Sequence, residues 1–217
     1  MKRLTEEKKM NKGKLIVISG FSGAGKGTIM KELVKSDNYA LSVSATTRNP
    51  RPGEVEGKAY FFKTVEAFEQ MIENDELVEY ANYVGNYYGT PKAFVENKMA
   101  EGKDVLLEIE IQGALKIKEK FPDTVLIFIT TKDADTLRER LTGRGTETED
   151  VINMRLARAA KEAEGVEAYD YIVVNDILED CVKTVDRIIK SEHNRTSEKL
   201  SIIQDIRMNL VSKGEIE

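Results

Sequence analysis

The sequence predicts an α/β fold: a parallel sheet with helices on both faces, interrupted by a small, mostly β insert and by a mobile polar lid. Three observations predict it. Short apolar runs alternate with helix-like runs through much of the 217 residues. A glycine-rich turn joins the first apolar run to the first helical one. From about residue 42 to 90, Pro/Gly turn signals and short aromatic runs break the alternation.

Taken in order, the clearest strands are 14–19, 105–109, 125–130 and 171–174, each rich in Ile, Val and Leu. Such continuous apolar runs suit strands covered on both faces. Helices are predicted over 25–35, 112–120, 133–141, 149–164 and 178–191. The organisation that follows is a charged extension (1–12), a core (13–41 and 91–192, with the lid near 140–157), the insert (42–90) and a helical extension (193–217). The lid reading rests on Thr142-Gly143-Arg144-Gly145-Thr146-Glu147-Thr148-Glu149-Asp150, polar and glycine-punctuated ahead of a helix that Thr148 or Asp150 would cap. In the tail, Leu200, Ile203, Ile206 and Leu210 share one helical face. That face either docks on the chain's own core or meets a partner.

Composition narrows the function. Hydrophobic residues make up 41% and charged residues 33%, as in globular soluble chains. No apolar run reaches the ~20 residues that span a bilayer, so no membrane partner is expected. The amino terminus is charged and lacks a signal-peptide core. Cys181 stands alone, which suits a reducing cytoplasm. A net charge of −5 argues against a broadly basic nucleic-acid surface. One histidine is too few for a multi-His metal site and argues against a Ser-His-Asp triad.

The glycine-rich turn runs Gly20-Phe21-Ser22-Gly23-Ala24-Gly25-Lys26-Gly27-Thr28. Between a strand and a helix, such a turn wraps phosphates with backbone N–H groups, the helix amino end adds positive potential, and Lys26 adds an ammonium beside the β- and γ-phosphates. The pattern is a P-loop except at Gly27, where a Ser or Thr hydroxyl would touch Mg²⁺; Thr28 follows one position late. In the insert, Arg48 and Arg51 lie in a proline-stiffened loop, and guanidinium groups suit paired hydrogen bonds to phosphate. Tyr60 and Tyr88 offer phenolic donors.

Further motifs accompany these: Ser44-Ala45-Thr46-Thr47-Arg48, Gly53-Glu54, Glu79-Tyr80-Ala81, Gly85-Asn86-Tyr87-Tyr88-Gly89-Thr90, Leu107-Glu108-Ile109-Glu110-Ile111-Gln112-Gly113-Ala114, Arg140 to Arg144, and Val173-Val174-Asn175-Asp176. Together they closely resemble the guanylate kinase family, in family order, from about Gly13 to Ser191.

The resemblance implies a P-loop NTPase-type core and transfer of the γ-phosphate of ATP to GMP, with dGMP as a second acceptor, in purine nucleotide metabolism. Two alternatives stand beside it: a non-catalytic protein-binding module, or a kinase of another small phosphorylated acceptor. It also implies the roles of residues. Gly20 to Thr28, Arg140, Arg144 and Asn175 would bind ATP, with Asn175 near adenine. Ser44, Arg48, Arg51, Tyr60, Glu79, Tyr88, Thr90, Glu108 and Glu110 would bind GMP. Lys26, Arg48, Arg144 and Arg155 would serve catalysis. Glu79 matches the residue that reads guanine, whose N1–H and 2-amino group are adjacent donors that one carboxylate accepts together. Glu110 stands where Asp is common, which questions its direct contact. Mg²⁺ would arrive with ATP and be held through nucleotide oxygens and water, with no direct protein ligand. The chain is read as a monomer or homo-oligomer.

Overall fold

The computed structural model describes residues 12–83, 85–143 and 148–212. Five parallel strands form the main sheet in the order β2-β7-β1-β8-β9. They are β1 (Leu15–Gly20), β2 (Tyr39–Leu41), β7 (Asp104–Glu108), β8 (Val125–Thr130) and β9 (Tyr171–Val174). Alternation sends neighbouring side chains to opposite faces. Ile16 and Ile18 of β1, with Ile127 and Ile129 of β8, pack against Ile29, Met30 and Leu33 of α1 (Lys26–Leu33) and Cys181, Val185 and Ile189 of α7 (Leu178–Glu192). Leu15, Val17 and Leu126 face the other way, onto Val95 of α3 (Lys92–Ala100) and Ala114 and Ile117 of α4 (Ile111–Lys120). The central strands β1, β7 and β8 are therefore covered on both faces, as their apolar runs require, whereas the edge strands leave Leu41 of β2 and Ile172 and Val174 of β9 exposed.

The insert builds its own four-stranded sheet, β4-β3-β6-β5. Its strands are β3 (Ala45–Thr46), β4 (Phe61–Phe62), β5 (Leu77–Tyr83) and β6 (Asn86–Pro91). It also contains a helix the sequence reading missed, α2 (Val65–Glu73). The signal was present: the Thr64 hydroxyl accepts the Ala67 N–H at 3.1 Å, and buried Phe68 pins the helix to the insert's core. Helix α3 was missed too; it follows directly on β6 at Pro91.

Helices α5 (Ala134–Thr142) and α6 (Glu149–Glu162) pack on one another through Leu137, Leu141, Ile152 and Ala159. The predicted lid includes Arg144, which lies outside the described residues. A 3-10 helix (Ala163–Ala168) leads from α6 into β9. The tail does form a helix, α8 (Thr196–Ser212), but it does not dock on the core by an apolar face: Leu200, Ile203 and Ile206 remain exposed. Its attachment lies at its start, where Glu198 pairs with Lys14 at 2.5 Å.

Candidate active site

The glycine-rich turn leaves the carboxyl end of β1 and opens α1, at the edge where ligands of open parallel sheets gather. Gly25 is the N-cap of α1 with a left-handed backbone (φ 92°), and no side chain caps the helix end. A Cβ at Gly25 would stand 2.5 Å from Asn175 Nδ2, so glycine is demanded by the backbone angle and by the close approach alike. Lys26 folds back over its own loop, donating to the Gly20 and Phe21 carbonyls at 2.8 and 3.2 Å. Its ammonium lies 3.9 Å from Glu108. Phe21 turns into the core, edge-on to Phe128.

Lys26, Gly20 and Ser22 line a cleft of about 980 Å³. Across it stand Arg155 and Arg158 of α6; Arg155 donates to the Ser22 hydroxyl at 3.1 Å. Arg140 donates to the Asn175 carbonyl at 2.8 Å. Asn175 is buried, and its amide donates to the Ala24 carbonyl at 2.7 Å. That side chain therefore braces the phosphate loop, a role beside the adenine contact that the resemblance implied.

A second cleft of about 850 Å³ lies under the insert and includes Glu79 and Tyr88. The two clefts share Ser44, Tyr60, Glu108, Ile109 and Glu110 as a common wall. Glu79 sits on β5, an edge strand of the insert sheet. A register shift between Leu77 and Tyr80 marks a bulge, which breaks the strict alternation of side chains and re-aims one of them. Gly89 faces this bulge; a Cβ there would lie 2.9 Å from the Glu79 carbonyl oxygen. Fully buried Thr90 donates its hydroxyl to the Glu79 carboxylate at 2.8 Å. Burial pushes the Glu79 carboxyl above the usual range, and the Thr90 hydrogen bond opposes this only in part.

Of Arg48, Arg51, Tyr60 and Tyr88, the structure brings Arg48, Tyr60 and Tyr88 together. The Arg48 guanidinium lies 5.4 Å over the Tyr60 ring, and the Tyr60 and Tyr88 rings meet edge-on at 6.0 Å. Glu54 orients Arg48 by accepting from it at 2.8 and 2.9 Å, and it accepts the Arg51 N–H at 2.8 Å. The Arg48 bond holds the Glu54 carboxyl low, and Glu54 holds the Arg48 guanidinium firmly charged. The Arg51 side chain is exposed. Glu110 is exposed and paired with Arg158 of α6. Glu54 and Arg158 were not singled out from sequence. The signals were the Glu54 position within the arginine loop and the Arg155-x-x-Arg158 spacing, which puts both arginines on one helical face.

The profile of the guanylate kinase family matches residues 12–192. The chain belongs to the guanylate kinase family. It is 50% identical to the guanylate kinase of Lactococcus lactis over 202 residues, 91% of this chain and 98% of that protein. It is 54% identical to that of Halalkalibacterium halodurans over 183 residues, 84% of this chain and 90% of that one. The crystal structure of guanylate kinase from Anaplasma phagocytophilum is similar with a TM-score of 0.71 at 33% identity, over 95% of this chain and 98% of that one. The matched span takes in both clefts, while α8 lies beyond it. Among the described residues, no helix is long and apolar enough to cross a membrane.

Proposed function

We propose that the two clefts divide one reaction between them, with the phosphate loop holding the donor and the insert holding the acceptor. The chain is a nucleoside monophosphate kinase that transfers the γ-phosphoryl group of ATP to GMP. The observation that carries this division is the shared wall: Ser44, Tyr60, Glu108, Ile109 and Glu110 line both clefts, so the bound nucleotides meet without a barrier.

A GMP phosphate oxygen attacks the γ-phosphorus in line. The new P–O bond forms as the bond from the γ-phosphorus to its bridging oxygen breaks, and ADP leaves with that electron pair. No protein nucleophile takes part, so the chain's work is positioning and charge neutralisation. Arg48, Tyr60 and Tyr88 grip the GMP phosphate, and Glu54 keeps the guanidinium in place. Glu79 accepts guanine N1–H and the 2-amino group; adenine lacks that pair of donors and would leave the carboxylate unsatisfied. Thr90 and Ser44 complete the base pocket, and dGMP fits the same reading because no group named here depends on the 2′-hydroxyl. Lys26 leaves its loop carbonyls for the ATP phosphates, and Arg155 approaches the same phosphates from α6. Closure of α6 and the insert excludes water that would otherwise hydrolyse ATP.

Among the described residues, no group of three or more His, Cys, Asp or Glu side chains could hold a metal ion. Mg²⁺ would be carried by the ATP phosphates, and Glu108, 3.9 Å from the Lys26 ammonium, would meet it through water. The ion would neutralise charge on the transferring group. Substrates of this kind and a single buried cysteine suit the cytoplasm.

An ADP-release assay with GMP, dGMP, AMP, CMP, UMP and sugar phosphates tests the assignment. Turnover with GMP and dGMP far above the others is expected. Equal turnover with AMP would refute the role given to Glu79.

A further inference from the structure

At the opposite edge of the main sheet, where the parallel strands begin, lies another cavity of about 400 Å³. Its size falls within the range of small-molecule sites, roughly 300–1,000 Å³. Four lysines, Lys12, Lys14, Lys92 and Lys120, line it against three carboxylates, Glu96, Asp123 and Glu198, with Phe121 and Thr124 beside them. Lys14 is buried and already paired with Glu198. The Lys92 and Lys120 ammonium groups lie 5.9 and 5.7 Å from the centre of the Phe121 ring. Thr124 is 2% exposed, and its buried hydroxyl has no hydrogen-bond partner among the described residues. Such orphan donors are uncommon in folded proteins and call for an explanation.

Both lysines meet Asp75: Lys92 at 3.3 Å, and Lys120 in a closer contact. Asp75 belongs to the turn between α2 and β5 of the insert, whereas Lys92 opens α3 and Lys120 closes α4. The pairs therefore tie the insert to the core. Asp75 takes a left-handed backbone (φ 53°) as the residue just past the end of α2, where the Glu76 N–H donates to the Met71 carbonyl at 2.9 Å and closes the helix. It is largely exposed, with 62% side-chain accessibility, so its ion pairs are weak and open to competition. A phosphate dianion carries twice the charge and three acceptor oxygens.

We propose that this cavity is a second phosphate site, taking a phosphate dianion, free or as a small monoester, at Lys92 and Lys120 in place of Asp75. Occupancy would then loosen the tie between insert and core. Asp75 itself lines the base cleft and not this cavity, while Lys120 and Val78 of β5, next to Glu79, line both, so the lysine heads would turn from one side to the other.

The test uses the full chain, isotope-labelled and saturated with GMP and ADP so that the main cleft is filled. Inorganic phosphate or ribose 5-phosphate is titrated at constant ionic strength, and the amide resonances of Phe121, Asp123 and Thr124 are followed. Saturable shifts are expected, weakened at least tenfold in the K92A/K120A double variant. Tightening by a few-fold is expected in Asp75→Asn, which removes the competing carboxylate and keeps both lysines. Tighter binding of ribose 5-phosphate identifies a monoester as the ligand; equal binding identifies the phosphate group alone. Shifts that chloride reproduces, or saturable shifts that neither variant alters, would overturn the proposal.

Discussion

The donor and acceptor halves of the cleft are built from different material. The donor half is mostly backbone: one continuous turn, a left-handed Gly25, and a lysine resting on its own loop carbonyls. The acceptor half is mostly side chains. Ser44, Tyr60, Glu79 and Tyr88 reach it from separate segments, with Arg48 over the Tyr60 ring, and Glu79 and Arg48 depend on Thr90 and Glu54 for their orientation. Backbone sites tolerate changes of side chain but not of conformation; side-chain sites behave in the opposite way. The halves should therefore fail differently when altered.

The largest effect belongs to Lys26→Met. Removing one preorganised charge at developing negative charge costs on the order of 10²–10³-fold in rate. We expect a loss of that size in kcat, with an unchanged circular dichroism spectrum and thermal midpoint. Near-normal turnover would break the assignment of the turn as the donor site. Next is Glu79→Gln, which should lower kcat/KM for GMP by about 10- to 100-fold, the equivalent of roughly 1–3 kcal/mol at a buried hydrogen-bonded group. Turnover with AMP should change little, so the GMP-to-AMP ratio is the quantity to measure.

Asn175→Ala sharpens the comparison from the other side, since it attacks a backbone site through its support. It leaves the Ala24 carbonyl without its donor and should cost about 1–3 kcal/mol of stability. KM for ATP should rise several-fold while KM for GMP holds. Equal rises in both would show that the halves are not independent.

The smallest effect concerns pH. Burial raises the Glu79 pKa above its ordinary value of 4.5. Between 4.5 and the raised value the folded protein holds a proton that the unfolded chain has lost, so stability grows as pH falls through that window. Above the window the cost of the buried carboxylate is fully present. In the absence of nucleotides, Glu79→Gln should melt higher than the parent at pH 8, since glutamine carries no charge to desolvate. The gap should close as pH approaches 4.5. A gap that stays constant with pH would remove burial as the cause.

The same contrast explains what could be read in advance. The strand 125–130 is legible because an apolar run buried on both faces has few other uses; 171–174 is legible from its β-branched run alone, since Ile172 and Val174 of this edge strand stay exposed, and the observed β8 and β9 have those bounds. The phosphate loop is legible because its geometry is made by consecutive residues. Arg48, Tyr60 and Tyr88 are legible only as matches to a family, since 40 residues separate the first from the last. Asn175 shows what such matching leaves out: its position in the motif says nothing about the amide's bond to the Ala24 carbonyl, which braces the loop. Glu110 is similar, since its partner Arg158 lies on α6, far along the chain. The C-terminal stripe left two readings open for another reason. Helical spacing records which residues share a face, not whether anything covers that face, and in α8 Leu200, Ile203 and Ile206 stay exposed.

By itself the sequence determined the α/β alternation, the phosphate loop with its lysine, and membership of a kinase family, because each is written in neighbouring residues or in ordered motifs. Only the tertiary structure decided that β5 bulges to present Glu79, that Glu54 steers Arg48, that Asn175 braces the loop, and that Asp75 ties insert to core. Those outcomes depend on through-space distances between distant segments. Local pattern carries no such information, because it constrains which face a residue occupies and leaves open what that face meets.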